Sequence, residues 1–138
     1  MPAKDIYHDT VKNALIKDGW IIIHDPLSLK IGNKDIFIDL AADKLLIAEK
    51  QEQKIAVEVK SFISPSEIED LKNALGQYIL YEKVLSRLGS ERILYLAIRE
   101  PVFNRLFTEE IGKILLEDKT LKLLVFEPEQ EVVIQWIN

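Results

Sequence analysis

The stretch KIAVEVKSF, residues 54–62, decides how the fold of this chain is interpreted. Side chains of alternating type follow one another along it, with the period of a β-strand. One face is apolar and carries Ile55, Val57 and Val59. The other face carries an acid, Glu58, and a base, Lys60, roughly 7 Å apart along the strand. That second face is either open to solvent or a surface on which a carboxylate and an ammonium group meet a ligand.

The composition bounds the class of protein. The chain has 138 residues, of which 48% are hydrophobic, so it is long and apolar enough to bury a core. It has no cysteine, which excludes disulfides, thiolate metal sites and cysteine nucleophiles and favours a reducing compartment. The N-terminal residues are charged where a signal peptide is apolar, and no apolar run approaches the ~20 residues of a membrane span. We expect one cytoplasmic domain over residues 1–138, with no membrane association.

The charge balance counts against a simple nucleic-acid binder. The formal net charge is −5, whereas nucleic-acid-binding domains normally carry an excess of Lys and Arg on one face. No block of like charge occurs in the sequence, so a basic arm is absent too. Attraction to phosphates would have to come from a metal ion, a local patch or a basic partner.

The N-terminal half predicts a helix followed by three strands. Residues 5–17 have apolar residues at helical spacing and end before a glycine. The β-branched run over residues 20–24 predicts the first strand, and residues 24–33, with their Pro and Gly-Asn breakers, predict a loop. Residues 36–43 predict the second strand, and residues 54–62 the third.

A capped helix is predicted after the third strand. Ser64 stands before Pro65 and three residues ahead of Glu67, which is the pattern of an N-cap, a proline at the first helical position and a capping-box partner. Gly89 ends the helix. Between these limits the apolar residues recur at helical spacing: Ile68, Leu71, Leu75, Tyr78, Ile79 and Leu85. We assign the stripe of Leu71, Leu75 and Tyr78 to the core.

The last third of the chain completes a mixed sheet. Residues 92–98 are nearly all apolar and indicate a central strand buried on both faces. A broken helix over residues 100–119 precedes two strands, at residues 121–127 and 131–137. The order α-β-β-β-α-β-α-β-β predicts an α/β fold with a mixed central sheet, a three-stranded meander and flanking helices. The aromatic residues Trp20, Tyr95 and Trp136 are assigned to packing.

The second and third strands carry a candidate metal site. Asp39 and Asp43 share one face of the second strand, and antiparallel pairing can set an aspartate beside Glu58, with Lys60 adjacent. Two carboxylates suit Mg²⁺, which takes oxygen ligands, polarises a phosphoryl oxygen and activates a bound water. Lys60 can orient that water or stabilise charge on phosphorus. This pattern predicts metal-assisted phosphodiester hydrolysis; the alternative is an ordinary polar face in contact with solvent.

Several segments carry a resemblance to known families. IDL followed by IAVEVK resembles the PD-(D/E)XK nuclease signature, in which an aspartate on one hairpin strand and Glu-x-Lys on the next bind the metal. A longer set is similar in order and spacing to the XisH family, the excision controlling factors of the cyanobacterial fdxN element. These segments are GWIIIHDPL (19–27), IDLAAD (38–43), IAVEVKSF (55–62) and ALGQYILY (74–81). The resemblance covers nearly the whole chain and implies a restriction-endonuclease-like α-β-β-β-α-β core.

The resemblance also implies a set of site residues. Asp39, Glu58 and Lys60 take the motif positions, with Asp39 and Glu58 as ligands of Mg²⁺ or Mn²⁺. Gln77 matches a glutamine that relatives in the nuclease superfamily often place near the site. Gln77 shares a polar helical strip with Asn73 and Tyr81, for which a solvated helix edge is the alternative.

The identity of the hairpin carboxylate stays open at this point. The gap from Asp39 to Glu58 is longer than in many hairpin nucleases. A tight hairpin that turns near residues 51–52 brings Asp43 to the site instead. An irregular excursion through residues 44–53 restores Asp39 opposite Glu58, and we favour this arrangement.

The first helix offers one further candidate. Many relatives carry a glutamate there that faces the metal, and this chain has His8 and Asp9 instead. His8 can serve as a ligand or a general base, or can be a surface or capping group.

Two functions follow from the resemblance. The first is a DNA-excision controlling factor with a nuclease-like fold that hydrolyses phosphodiester bonds with a divalent metal during programmed excision of a genomic element. The second is a non-catalytic accessory module that binds a second controlling factor or the site-specific recombinase. DNA, directly or through those partners, and a second copy of the chain in a homodimer are the expected partners. A nuclease unrelated to excision is the remaining option.

Overall fold

The computed structural model describes residues 3–138. Its helices are α1 (His8–Lys17), α2 (Glu67–Arg87), α3 (Glu100–Leu106) and α4 (Glu110–Glu117). Its strands are β1 (Ile21–His24), β2 (Leu27–Ile31), β3 (Lys34–Ile38), β4 (Leu40–Leu46), β5 (Gln51–Val59), β6 (Ile93–Arg99), β7 (Leu123–Glu127) and β8 (Val132–Ile137). None of the helices within this part of the chain has the length and apolar character to cross a membrane.

Six strands form one mixed sheet in the order β1-β4-β5-β6-β7-β8. β1, β4 and β5 are antiparallel neighbours and make the meander. β5, β6 and β7 run parallel, because α2 and then α3 with α4 carry the chain across, and β8 returns antiparallel to β7. This arrangement confirms the predicted α/β class with a mixed central sheet, a meander and flanking helices. The predicted order α-β-β-β-α-β is present, with one insertion.

The insertion is a β-hairpin where a loop was predicted over residues 24–33. β2 and β3 form a separate antiparallel sheet in which Ile31 pairs with Lys34. Gly32 and Asn33 are therefore the two-residue turn of a hairpin, a role that Gly-Asn commonly takes between alternating strands. The prediction of a loop was wrong because Gly32 and Asn33 were interpreted only as residues that interrupt regular structure. Their role as the turn between two paired strands was not considered.

The hairpin also divides the predicted second strand over residues 36–43. β3 ends at Ile38 and β4 begins at Leu40, so that Asp39 lies between two strands of different sheets. The apolar face of the hairpin packs into the core beneath α2 through Leu27 and Ile38. Asp39 is thus fixed at a junction rather than on a continuous strand.

The hairpin of β4 and β5 turns earlier than the tight hairpin near residues 51–52 that was considered from the sequence. Its ladder is regular, from Leu40 opposite Val57 to Leu46 opposite Gln51, and residues 47–50 form the turn. No irregular excursion is present. If the same ladder is continued by one residue beyond Leu40 and Val57, Asp39 lies opposite Glu58.

Both main helices begin later than predicted. α1 begins at His8, and Asp5 lies in the turn before it and accepts a hydrogen bond from the His8 N–H through its backbone carbonyl, at 3.0 Å. The N-cap of α2 is Ser66 instead of Ser64: the Ser66 hydroxyl accepts a hydrogen bond from the N–H of Glu69 at 3.2 Å. The capping-box spacing fits both serines, and the structure places Pro65 outside the helix.

Both faces of β5 are buried over residues 55–59. One core cluster lies beneath α2 and includes Ala56, and a second lies beneath α1 and includes Ile55, Val57 and Val59. Glu58 is only 7% exposed. The polar face of this strand is therefore not an ordinary solvated surface. The predicted core assignments are confirmed for Leu71, Leu75, Tyr78, Trp20, Tyr95 and Trp136.

A close backbone contact fixes α4 against the end of α3 and allows a stability prediction. A Cβ atom at Gly112 would lie 2.4 Å from the carbonyl oxygen of Leu106 and 2.6 Å from the Cα of Phe107. We expect Gly112→Ala to lower the free energy of unfolding by about 3 kcal/mol, because backbone on both sides has to move. Gly76→Ala in α2 is the matched control: a Cβ there meets nothing within 4 Å. Thermal melting of both variants tests this, and equal melting temperatures would contradict it.

Candidate functional site

The strand junction and β5 bring two carboxylates together. The backbone N–H of Asp39 donates a hydrogen bond to Glu58 Oε1 at 3.2 Å. The backbone N–H of Val59 donates one to Asp39 Oδ2 at 2.7 Å. The Glu58 carboxyl group is thus held by the backbone of Asp39, and the Asp39 carboxylate by the backbone of β5. The regular β4–β5 register therefore selects Asp39 as the partner of Glu58.

The environment of Glu58 favours its neutral form. Burial raises the pKa of Glu58 to about 9, and the negative charge of Asp39 and a side-chain hydrogen bond with it act in the same direction. The backbone N–H of Asp39 and the charge of Lys60 oppose this rise only in part. In the metal-free protein at neutral pH, Glu58 therefore keeps its proton while it lies beside Asp39.

Lys60 is positioned by the segment that leaves β5. Its backbone N–H donates a hydrogen bond to the carbonyl of Ala97 at 3.1 Å, which extends the pairing with β6 by one residue. The following residue, Ser61, is held by the Asp5 carboxylate at 3.0 Å and by Arg99 at 2.7 Å. The ammonium group of Lys60 forms no ion pair with any residue that the structure describes. Its positive charge therefore lies near Asp39 and Glu58 but is not neutralised by an ion pair with either of them.

Helix α2 supplies the opposite wall through Gln77 and Tyr81, one turn apart. The amide oxygen of Gln77 is buried and accepts no hydrogen bond from any described residue. An orphaned buried acceptor is uncommon and calls for a partner such as a cation or an ordered water. Burial, followed by the negative charges of Glu58 and Asp39, raises the pKa of Tyr81, which keeps its hydroxyl protonated.

These groups line one cleft of about 340 Å³. Four predicted residues meet there: Asp39, Glu58, Lys60 and Gln77. Sequence reasoning did not place the other polar and aromatic members at the site, namely Lys4, Asp5, Asp35 and Phe37. Asp35 and Phe37 belong to the hairpin that was interpreted in part as a loop, and Asp5 was placed in a helix. The alternating residues on both sides of Gly32-Asn33 were the signal that could have located the hairpin.

Two predicted candidates lie elsewhere. Asp43 is paired with Lys54 in the ladder and forms an ion pair with Arg92 at 2.6 Å. The alternative in which Asp43 takes the place of Asp39 at the site is therefore wrong. Burial raises the pKa of Asp43, but the hydrogen bond and charge of Arg92 lower it more, to a net value below the usual range. His8 is buried with Nε2 2.6 Å from Asp25 Oδ1, and neither His8 nor Asp43 lines the cleft.

The donors of the cleft suit a hard cation. Among residues 3–138, no set of three or more His, Asp and Glu side chains converges as a complete metal-binding group. The converging donors are the carboxylates of Asp39 and Glu58 and the amide oxygen of Gln77, all of them oxygens. Because Mg²⁺ is usually bound through one or two carboxylates and keeps several waters, this set fits Mg²⁺ or Mn²⁺.

Comparison with known proteins identifies the family. The family model described as XisH protein matches residues 1–134. The chain belongs to the XisH family. An XisH family protein from Nostoc punctiforme PCC 73102 is 41% identical to this chain, with a TM-score of 0.86 over 97% of this chain and 100% of that one. No curated protein matches it.

A second solved structure agrees with this assignment. It is an fdxN element excision controlling factor protein from Anabaena variabilis, 40% identical, with a TM-score of 0.87 over 98% of this chain and 100% of that one. The fold described above is therefore an XisH fold over essentially its whole length, as the sequence segments predicted.

Proposed function

We propose that this XisH-family chain is a controlling factor for excision of an fdxN-type genomic element and that its cleft is a nuclease-like site. The pairing of half-buried Asp39 with buried Glu58, with Lys60 beside them, is the observation that carries the proposal. A charged or shared-proton acid pair in a protein interior is unfavourable unless a cation or a function requires it. The excision role is proposed from the likeness to the fdxN element excision controlling factor protein of Anabaena variabilis.

The cofactor of this site would be Mg²⁺ or Mn²⁺. Asp39 and Glu58 would hold it, with the amide oxygen of Gln77 bound directly or through a water. A divalent cation supplies charge stabilisation at a phosphoryl oxygen and a water that is easily deprotonated. The likeness to a PD-(D/E)XK arrangement rests on the same three residues, Asp39, Glu58 and Lys60.

The chain's own residues have separable roles in this scheme. The ammonium group of Lys60 orients a water or offsets negative charge that develops on a phosphoryl group. The hydroxyl of Tyr81, which stays protonated, donates a hydrogen bond to an anionic oxygen. The walls formed by α2 and the β2–β3 hairpin restrict bulk water and so strengthen these interactions.

A non-catalytic accessory role is the second candidate, favoured by two observations. The net charge is −5, and among the described residues no third acidic or histidine side chain converges with Asp39 and Glu58 on a metal position. In this role the site serves as a metal-stabilised structural element. The chain then works by binding a second controlling factor or the site-specific recombinase.

The Lys60→Met variant distinguishes the two functions. If the site is catalytic, the variant keeps Mn²⁺-induced stabilisation in thermal melting but cleaves DNA at least about 100-fold more slowly than the wild type, because one transition-state charge contact is lost. Nicking of supercoiled DNA in Mn²⁺ measures the rate. Lys113→Met, at an exposed position on α4, is the matched control and should cleave normally.

The accessory role predicts a different outcome. The wild type would show no cleavage, and Lys60→Met would support element excision in cells as well as the wild type does. The absence of any Mg²⁺ or Mn²⁺ effect on wild-type melting would exclude the metal site in both roles.

A further inference from the structure

A second cavity lies next to the cleft, between the β2–β3 hairpin and the C-terminal half of α2. Its volume is about 620 Å³. Ile31, at the hairpin tip, forms one side. The other side is formed by α2 residues Lys83, Val84, Ser86 and Arg87. We call this cavity the hairpin groove.

The hairpin groove and the cleft share the same two walls. Residues 35–37 of the hairpin line the cleft, and Ile31 of the same hairpin lines the groove. On α2, Gln77 and Tyr81 line the cleft and Val84 lines the groove, at i, i+4 and i+7 on one flank of the helix. The separation from Tyr81 to Val84 is less than one helical turn. The two cavities therefore follow one another along a single seam.

Two cations line the groove, and a third is paired with Ile31 at the hairpin tip. Lys83 and Arg87 line it and are exposed. Lys34 is the ladder partner of Ile31, so its side chain lies on the same face of the hairpin. None of the three has a carboxylate within 4.0 Å in the part of the chain that the structure describes.

The nearby acids do not neutralise this cluster. Glu82 lines a separate cavity together with Arg92. Asp35 lines the cleft and not the groove. Three unpaired cations in one place are notable in a chain of net charge −5, and they were not visible in the sequence because Lys34 is remote from Lys83 and Arg87 along the chain.

We propose that the hairpin groove binds the phosphate backbone of DNA and directs it to the cleft. Lys34, Lys83 and Arg87 neutralise successive phosphates. The groove is a local positive patch that attracts phosphates, although the net charge of the whole protein is negative. The inference rests on the proposed action on DNA, but it concerns binding and needs neither metal nor cleavage.

The test is DNA binding without metal. Fluorescence anisotropy of a labelled duplex of about 20 base pairs is measured over a series of salt concentrations, since each neutralised phosphate contributes about −0.9 to the slope of log K against log salt. We expect the double variant Lys83→Glu/Arg87→Glu to bind at least about 10-fold more weakly at low salt and to lose about 2 from the slope. Lys34→Glu should lose about half of that slope.

A matched charge reversal separates a local site from net charge. Lys113→Glu/Lys119→Glu changes two exposed lysines near α4 and gives the same net charge. It should keep most of the affinity and the wild-type slope. Equal weakening by both double variants, or no binding by the wild type, would overturn the proposal. Binding of polyglutamate instead of DNA would assign the groove to an acidic protein and overturn it too.

Failure of this inference is distinguishable from failure of the proposed function. The Lys83→Glu/Arg87→Glu variant should retain Mn²⁺-induced stabilisation, because neither residue lines the cleft. Conversely, Glu58→Gln should lose the response to Mn²⁺ and still bind DNA with the wild-type slope. DNA binding that vanishes with Glu58→Gln would overturn the groove as the binding surface.

Discussion

Glu58→Gln is expected to make the metal-free protein more stable at pH 7, on the order of 3 kcal/mol, although it alters a buried residue at the centre of the site. The amide resembles the protonated acid in shape and hydrogen bonding. Its NH₂ can donate to Asp39 where the shared proton lies, and its oxygen can accept the Asp39 N–H. The substitution therefore keeps the native contacts without an ionisable group.

The sign of the effect follows from proton binding. Glu58 has a pKa of about 9 in the folded protein, whereas a free glutamate side chain titrates near pH 4.3. Between these values the folded state binds the proton and the unfolded state does not, so wild-type stability falls as pH rises. The gain from Glu58→Gln should vanish near pH 4 and grow towards pH 9. Urea unfolding at pH 4, 6 and 8 measures it, and a pH-independent difference would contradict the prediction.

The same substitution should abolish the response to a divalent cation. A neutral amide is a much weaker ligand than a carboxylate, so Mn²⁺ should stabilise the wild type and leave Glu58→Gln unchanged. Asp43→Asn is the matched control, an acid-to-amide change on the neighbouring strand. It should lower stability, because Arg92 loses a charged partner, and retain the Mn²⁺ response. Loss of the response in Asp43→Asn instead would show that Asp39 is not the ligand.

The fold was predictable where the hydrophobic periodicity agrees with the residues that begin and end helices and strands. The alternation of β5 and the apolar pattern of α2 located the central layers, because burial on a sheet or helix imposes those periods. The β4–β5 turn was not predictable, because residues 47–50, IAEK, contain no Gly, Pro, Asn or Asp. Lys50 adopts a positive φ of 51°, a conformation that is not expected of a lysine from the sequence. The misplaced turn left the choice between Asp39 and Asp43 open.

The site was predictable in its members but not in its electrostatics. The residue pattern and the family resemblance named Asp39, Glu58, Lys60 and Gln77, and the structure brings all four to one cleft. The raised pKa of Glu58 depends on burial by a helix on one face and a hairpin beside it. Such burial comes from tertiary packing, which local pattern does not encode. The cations of the hairpin groove were hidden for the same reason.

Binding of Mn²⁺ to the wild type should strengthen steeply with pH. Because Glu58 has a pKa of about 9, it must lose its proton before it can act as a ligand. The apparent affinity should therefore rise about tenfold per pH unit between pH 6 and 8, and about one proton should leave for each ion bound. Calorimetric titrations in two buffers of different ionisation enthalpy measure both quantities.

Removal of Lys60 sharpens this test, because the charge of Lys60 is one of the factors that lower the pKa of Glu58. In Lys60→Met the whole affinity curve should move to higher pH, while its slope and the single released proton are unchanged. A structural role for Lys60 would lower the affinity equally at every pH. An affinity that is flat from pH 6 to 8 in the wild type would mean that Glu58 is already ionised beside Asp39 and would contradict the raised pKa from which this pH dependence is expected.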